Sequence, residues 1–280
     1  MQITNVERKP SSNTKTPKVD LFYGIYKNYA KDIYRDIRKE TFGEDIGQNS
    51  WLTADEYWNI FFTLGLSPEK KVLEIASGSG GPAVFMAKET GCHITGIDVN
   101  ENGIENSKKL ARENGLNEKM KFFLGDASAP LPFPDESFDV VISIDSMNHL
   151  KDRSKVLKEL RRVLKKDGKL LFTDAVVVTG ILTNEEIAIR SSLGFFLFSP
   201  AGENERLIKE AGFRNVQSSD VTENISRISL KWFHAREKRR TDLLQFEDEN
   251  NFNGLQSFFN VVHILSSERR LSRFMYRAIK

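Results

Sequence analysis

The chain has 280 residues, 41 basic against 39 acidic side chains, a net charge of +2 and a single cysteine, Cys92. That length suits one large α/β domain or a core with a smaller cap. The near-neutral balance gives no electrostatic case for nucleic acid or a membrane surface. One cysteine excludes an internal disulfide framework, no apolar run reaches about 18 residues, and the N-terminus lacks a hydrophobic signal core. The expected compartment is the cytoplasm.

Residues 1–18 are polar, with Pro10 and Pro17, and read as a flexible tail. Residues 19–66 read as an N-terminal helical cap. Leu21, Ile25, Tyr26, Tyr29, Ile33 and Ile37 recur at helical spacing from Asp20 to Glu40, and a second helix covers Ala54–Thr63. A core over 67–222 follows, in which strands at 71–76, 93–98, 120–124, 138–144 and 169–174 alternate with helices at 82–90, 101–114 and 152–165. That rhythm implies a parallel sheet covered on both faces, and the near-continuous apolar strands agree. Within the core, 176–202 reads as a cap segment, then a helix at 203–211 and a strand at 213–219. Residues 223–280 read as a charged helical insertion and a final strand over Leu271–Ile279. The clusters Lys165-Lys166 and Arg236–Arg240 have acidic neighbours and read as solvated faces.

The stretch organising the rest is Lys71-Val-Leu-Glu-Ile-Ala-Ser-Gly-Ser-Gly-Gly-Pro82. A buried strand runs into a glycine turn, and Pro82 suits the first position of the following helix. Such a turn lets a ligand lie on the backbone before free helix N–H groups, at the carboxyl end of a strand. Gly78-Ser-Gly80-Gly-Pro-Ala83 also satisfies a dinucleotide fingerprint, with Asp98 at the expected distance, so an NAD-dependent oxidoreductase is one reading. Three features argue against it. Glu74 sits in the strand before the turn, where an acid is unwelcome beside a pyrophosphate but suits the cationic amino end of S-adenosylmethionine. Asp126 ends the third strand, where an adenine amino group can be read. Asp145–His149 brings polar chemistry to the same edge after the fourth strand.

The order acid-x-Ala-x-Gly-x-Gly, then Gly96-Ile-Asp98, Gly125-Asp126-Ala127 and Phe138-Asp-Val-Val-Ile-Ser resembles the class I S-adenosylmethionine-dependent methyltransferases over about residues 68–175. Ala76 stands where that family usually has its first glycine. The resemblance implies a doubly wound, Rossmann-like, mostly parallel seven-stranded α/β sheet with helical N-terminal and C-terminal caps. It implies S-adenosylmethionine as cofactor, with Glu74, Ala76, Ser77 and Gly78 on the methionine side. Asp98 would hold the ribose hydroxyls, Val99 would lie against the adenine, and Asp126 would bind the adenine amino group. Ala127 and Ile144 complete that set.

Phe42-Gly-Glu-Asp-Ile46 and Asp145-Ser-Met-Asn-His149 further resemble the phosphoethanolamine and sarcosine/dimethylglycine N-methyltransferases. In those families a tyrosine some fourteen residues before the glycine closes over the site. Tyr29 is nearest that position, with Tyr26 second. Phosphate binding calls for arginine forks or backbone donors, and Leu193–Phe198 carries neither, although Arg190 lies close.

An attacking amine or hydroxyl must lose a proton, and imidazole is suited to take it. His149 is therefore assigned as general base, Asp145 as its orienter or as a binder of the acceptor's amine, and Tyr29 as the cover of the sulfonium. The expected activity is methylation of a small molecule, most readily at nitrogen. The alternative is O- or C-methylation of a hydrophobic natural-product or sugar acceptor, and a non-catalytic binding domain is a further class. Cys92 and His93 point to opposite faces of a strand, and no metal site is expected. No nucleic-acid or membrane partner is expected, and the oligomeric state is open.

Overall fold

The computed structural model describes residues 19–280; the expected tail at 1–18 lies outside them. Five parallel strands build the centre: β1 (Lys71–Ile75), β2 (His93–Asp98), β3 (Met120–Leu124), β4 (Phe138–Ser143) and β5 (Leu164–Val178). β8 (Leu271–Ile279) runs antiparallel between β5 and β7 (Arg214–Asp220), giving the order β3-β2-β1-β4-β5-β8-β7. A two-residue strand, β6 (Ser199–Pro200), pairs β5 and makes eight, one more than the expected seven. Apart from that, the doubly wound, mostly parallel sheet is as expected.

The order reverses at β1, which pairs β2 on one side and β4 on the other. A crevice opens at the carboxyl ends where strand order reverses, the usual ligand position in such sheets. β1 is apolar because both faces are covered: Val72, Leu73 and Ile75 are fully buried. Helices α4 (Gly81–Thr90), α5 (Glu101–Glu113) and α6 (Arg153–Val163) carry the crossovers. Asp152 caps α6 by accepting from the Lys155 N–H at 3.0 Å, and Asn100 caps α5 through the Gly103 N–H at 3.1 Å.

The expected helix from Asp20 to Glu40 is two helices, α1 (Phe22–Lys27) and α2 (Asp32–Phe42). The Asn28 side chain closes the first by donating to the Gly24 carbonyl at 2.9 Å, and the chain turns before Asp32. This break decides which tyrosine faces the crevice. α3 (Ala54–Leu64) begins with a capping box between Thr53 and Glu56.

The segment after β5 contains α7 (Asn184–Arg190), then α8 (Glu203–Glu210) before β7. The insertion before β8 is α9 (Thr222–Glu237), α10 (Arg240–Leu243) and α11 (Glu249–Ser267). These helices pack on α1 and α2 through an aromatic cluster in which Trp232 stacks on Phe259 at 4.8 Å and meets Trp51 edge-on at 6.0 Å. Fully burying one such side chain contributes roughly 1.5–3 kcal/mol, so the cluster fixes the caps over the sheet edge. Arg236 departs from its expected solvated face. It is buried and bonds Glu247 at 2.5 Å, because a guanidinium can enter a core only with a partner.

Candidate active site

A cavity of about 450 Å³ lies at the carboxyl ends of β1, β2, β3 and β4, roofed by α1, the 191–198 segment and the aromatic cluster. Glu74, Ala76, Ser77, Gly78, Asp98, Val99, Asp126, Ala127 and Ile144 all line it, as do Asp145 and His149. The parallel sheet brings them together, since each stands at or just beyond a strand end.

The nucleotide-type half is built around the β1–α4 turn. Ala76 sits at φ 57°, a left-handed conformation costing a residue with a Cβ roughly 1–2 kcal/mol, which accounts for glycine being the expected residue. Gly78 (φ 55°) is required twice, because a Cβ there would also lie 2.8 Å from the Tyr26 hydroxyl. Its N–H donates to Asp98 Oδ2 at 2.8 Å, while Asp98 Oδ1 accepts from the Asn100 N–H at 2.8 Å. Each oxygen retains a lone pair for a further donor. Burial nevertheless holds the Asp98 carboxyl above its usual range, against those N–H groups. Asp126 is exposed and accepts from the Ser128 N–H at 2.8 Å, which shapes the turn beyond β3.

Glu74 is the electrostatic anomaly. It is 4% exposed, and its Oε2 has no hydrogen-bond partner among the described residues. Burial, with the Asp98 carboxylate nearby, pushes its carboxyl up to about 8. A buried acid facing a cavity with an unused oxygen is chemically incomplete until a cationic donor reaches it. The Ser77 hydroxyl is likewise unpartnered among the described residues.

The other half is walled by Trp51, Trp232, Phe258 and Phe196, with Asn49 and Asn148 as polar insertions. His149 is half-buried at the junction of the halves. Its Nδ1 lies 2.9 Å from the Phe195 carbonyl oxygen, which can only accept. The proton is therefore assigned to Nδ1 and the lone pair to Nε2. Phe22 and Phe196 meet the ring edge-on at 5.9 and 4.5 Å. Burial moves the imidazole below its usual pKa, the Phe195 hydrogen bond works against that, and Arg190 adds to it. The ring is neutral at pH 7, and its Nε2 has no hydrogen-bond partner among the described residues.

Two assigned roles change. Asp145 does not orient His149, whose Nδ1 is taken by Phe195. Its Oδ1 accepts from Thr173 Oγ1 and Arg273 Nε, both at 2.7 Å, and its Oδ2 accepts from the Trp51 N–H at 2.9 Å. Tyr29 does not line the cavity; it tucks behind the glycine turn with the Arg38 guanidinium 4.6 Å from its ring centroid. Tyr26, the second candidate, lines it instead, its backbone carbonyl accepting from Asn106 Nδ2 at 2.7 Å.

Arg190 is a buried, cavity-lining side chain to which the sequence assigned no role. It is 2% exposed, lines the aromatic half, and leaves Nε and Nη1 unpartnered among the described residues. Its guanidinium lies 4.8 Å from the Phe196 ring centroid and 5.1 Å from that of Phe258. Burial lowers its pKa to about 10, which still leaves it charged at neutral pH. No group of three or more potential metal ligands occurs among the described residues. No described helix is long and apolar enough to cross a membrane.

Residues 73–172 match the family described as a methyltransferase domain. Methyltransferase GfsG of Streptomyces halstedii is 35% identical over 170 residues, 59% of this chain and 60% of that protein. The glycine/sarcosine/dimethylglycine N-methyltransferase of Actinopolyspora halophila is 31% identical over 248 residues, 82% of this chain. The chain spans only 44% of that relative's length. Among solved structures, Haemonchus contortus phosphoethanolamine N-methyltransferase 2, in complex with phosphomonomethylethanolamine and S-adenosylhomocysteine, superposes with a TM-score of 0.76. That match covers 94% of this chain and 61% of the other at 24% identity, and speaks to the fold.

Proposed function

We propose, from the match of residues 73–172 to the methyltransferase domain family, that the chain is an S-adenosylmethionine-dependent methyltransferase of small molecules, acting on an amine that also carries an anionic group. The observation that carries the cofactor is the unpartnered Glu74 Oε2 beside the glycine turn and Asp98. A cationic amino group completes Glu74, and the lone pairs left on Asp98 suit ribose hydroxyls. Asp126, Val99, Ala127 and Ile144 line the same cavity, and this reading assigns them to the adenine. When bound, the cofactor supplies a methyl group on a positively charged sulfur.

The chain's own part is placement and proton transfer. Arg190 is a buried cation with two unused donors, so it suits the acceptor's carboxylate or phosphate. The acceptors in the Actinopolyspora relative's name, glycine, sarcosine and dimethylglycine, each pair an amine with a carboxylate. The bare His149 Nε2 takes the proton that the attacking nitrogen must lose. The aromatic roof excludes water from the reacting atoms. The walls of Trp51, Trp232 and Phe258 favour a second reading, O-methylation of an apolar acid, in which Arg190 and His149 keep the same tasks.

Calorimetric titration with S-adenosylmethionine, S-adenosylhomocysteine and NAD tests the cofactor. Micromolar binding of both adenosyl ligands is expected, with at least a tenfold loss in Asp98→Ala. Binding of NAD alone overturns the proposal. Acceptor screening by S-adenosylhomocysteine release then sets amines with and without an acidic group against apolar acids. Arg190→Met is expected to raise the acceptor KM about 10–100-fold, the loss of a charge-assisted hydrogen bond worth roughly 1.5–3 kcal/mol, with cofactor affinity unchanged.

A further inference from the structure

Four carboxylates line the cavity: Glu74, Asp98 and Asp126 in the nucleotide half, and Asp145 in the acceptor half. Asp145 is where an ammonium group would be expected to dock. Its charge is already paired with the Arg273 guanidinium. Three of its four acceptor positions are taken, by Arg273 Nε at 2.7 Å, Thr173 Oγ1 at 2.7 Å and the Trp51 N–H at 2.9 Å. Arg273 is fully buried in β8, 128 residues away in sequence, and does not itself line the cavity. Its longer contact, 3.2 Å from Nη1, goes to Glu56. Glu56 lies outside the lining and also accepts from the Thr53 N–H at 3.2 Å and from the Asn224 amide. Asn224 in turn donates to the Trp51 carbonyl at 2.7 Å, so one network holds both ends of the Trp51 peptide. Two of the aromatic faces that could seat a cation, those of Phe196 and Phe258, are already occupied by Arg190.

We infer that Arg273 is a positioning and specificity-determining residue: by pairing with Asp145 it withdraws the one carboxylate of the acceptor half and sets the Trp51 wall, so that the chamber takes neutral amines and anionic groups and rejects permanent cations. This rests on the methyltransferase reading and adds the charge of the form that binds. It also has a chemical sense. An ammonium has no lone pair for attack, and a chamber without a free carboxylate does not trap the acceptor in that unreactive form.

The test uses the full chain saturated with S-adenosylhomocysteine, titrated calorimetrically with sodium benzoate and with tetramethylammonium chloride at equal ionic strength. The wild type is expected to bind benzoate at least tenfold more tightly than tetramethylammonium. In Arg273→Gln the freed Asp145 is expected to improve tetramethylammonium binding tenfold or more, and adding Asp145→Asn should return the wild-type preference. A merely structural Arg273 would weaken both ions alike. Tetramethylammonium binding as tight in the wild type as in R273Q overturns the inference, as does a gain that survives in the double variant. Should R273Q fail to fold, D145N alone decides: tetramethylammonium affinity stays at its wild-type level, and a drop is the overturning result. Absence of S-adenosylhomocysteine binding would strike the cofactor reading instead, and the same titrations on ligand-free protein then still decide the role of Arg273.

Discussion

His149→Ala is expected to lower kcat for the acceptor by about 10²–10⁴ while leaving S-adenosylmethionine affinity within twofold. The split follows from position. His149 stands at the junction of the halves, and its ring Nδ1 bonds the Phe195 carbonyl. That bond holds the hydrogen on Nδ1, so Nε2 is the basic atom without any carboxylate behind it. Since burial and Arg190 move the imidazole below 6.5, the base is free at neutral pH. The wild-type rate should be flat from about pH 7 upward in the enzyme's own ionisation and fall below the lowered value as the ring takes a proton. In the variant that acidic limb should disappear. Stopped-assay rates from pH 5 to 9 with the cofactor saturating check both points. Unchanged turnover in the variant would remove His149 from the chemistry.

How much of this site can be read from the chain depends on how far apart its parts lie. Glu74, Gly78, Asp98 and Asp126 are legible because each stands at the end of an apolar strand, and a parallel sheet gathers successive carboxyl ends at one edge. The tyrosine is harder. Apolar spacing runs smoothly through Tyr26 and Tyr29, and only the turn between α1 and α2 decides that Tyr26 faces the cavity. The Asn28 cap was the available signal. Arg190 has no local signature. It is an arginine in the last turn of a short helix, and its burial comes from Phe196 and Phe258, the latter on a different helix. The Asp145–Arg273 pair joins β8 to the loop after β4, and periodicity carries no information about ion pairs at that separation. The eighth strand is two residues long, too short for a pattern.

Glu74→Gln should produce opposite effects on stability and on binding. In the ligand-free fold the Glu74 carboxyl keeps its proton to about pH 8, whereas the unfolded chain releases it near 4.5. Between those values the native state binds more protons than the unfolded state, so stability falls as pH rises through the window. Below about 4.5 the group contributes no difference, and above about 8 the cost is constant. At one pKa unit per 1.36 kcal/mol the limit is above 4 kcal/mol, and solvent in the cavity reduces it to roughly 2–4 kcal/mol. The amide cannot ionise, so E74Q should melt several degrees higher than wild type at pH 8 and about equally at pH 5. The same change removes the anion that a cationic amino group needs, at a cost of roughly 1.5–3 kcal/mol, or 10–100-fold in S-adenosylmethionine affinity. Binding to the wild type at pH 6.5 requires Glu74 to ionise, so a proton should be released. Calorimetry in two buffers of different ionisation enthalpy measures it directly, and E74Q should release none from this group. A variant that melts with the wild type at every pH and still binds the cofactor normally would place Glu74 among ordinary buried acids. A more stable protein that has lost its ligand would mean that this strand carries an unfavourable charge because binding requires it.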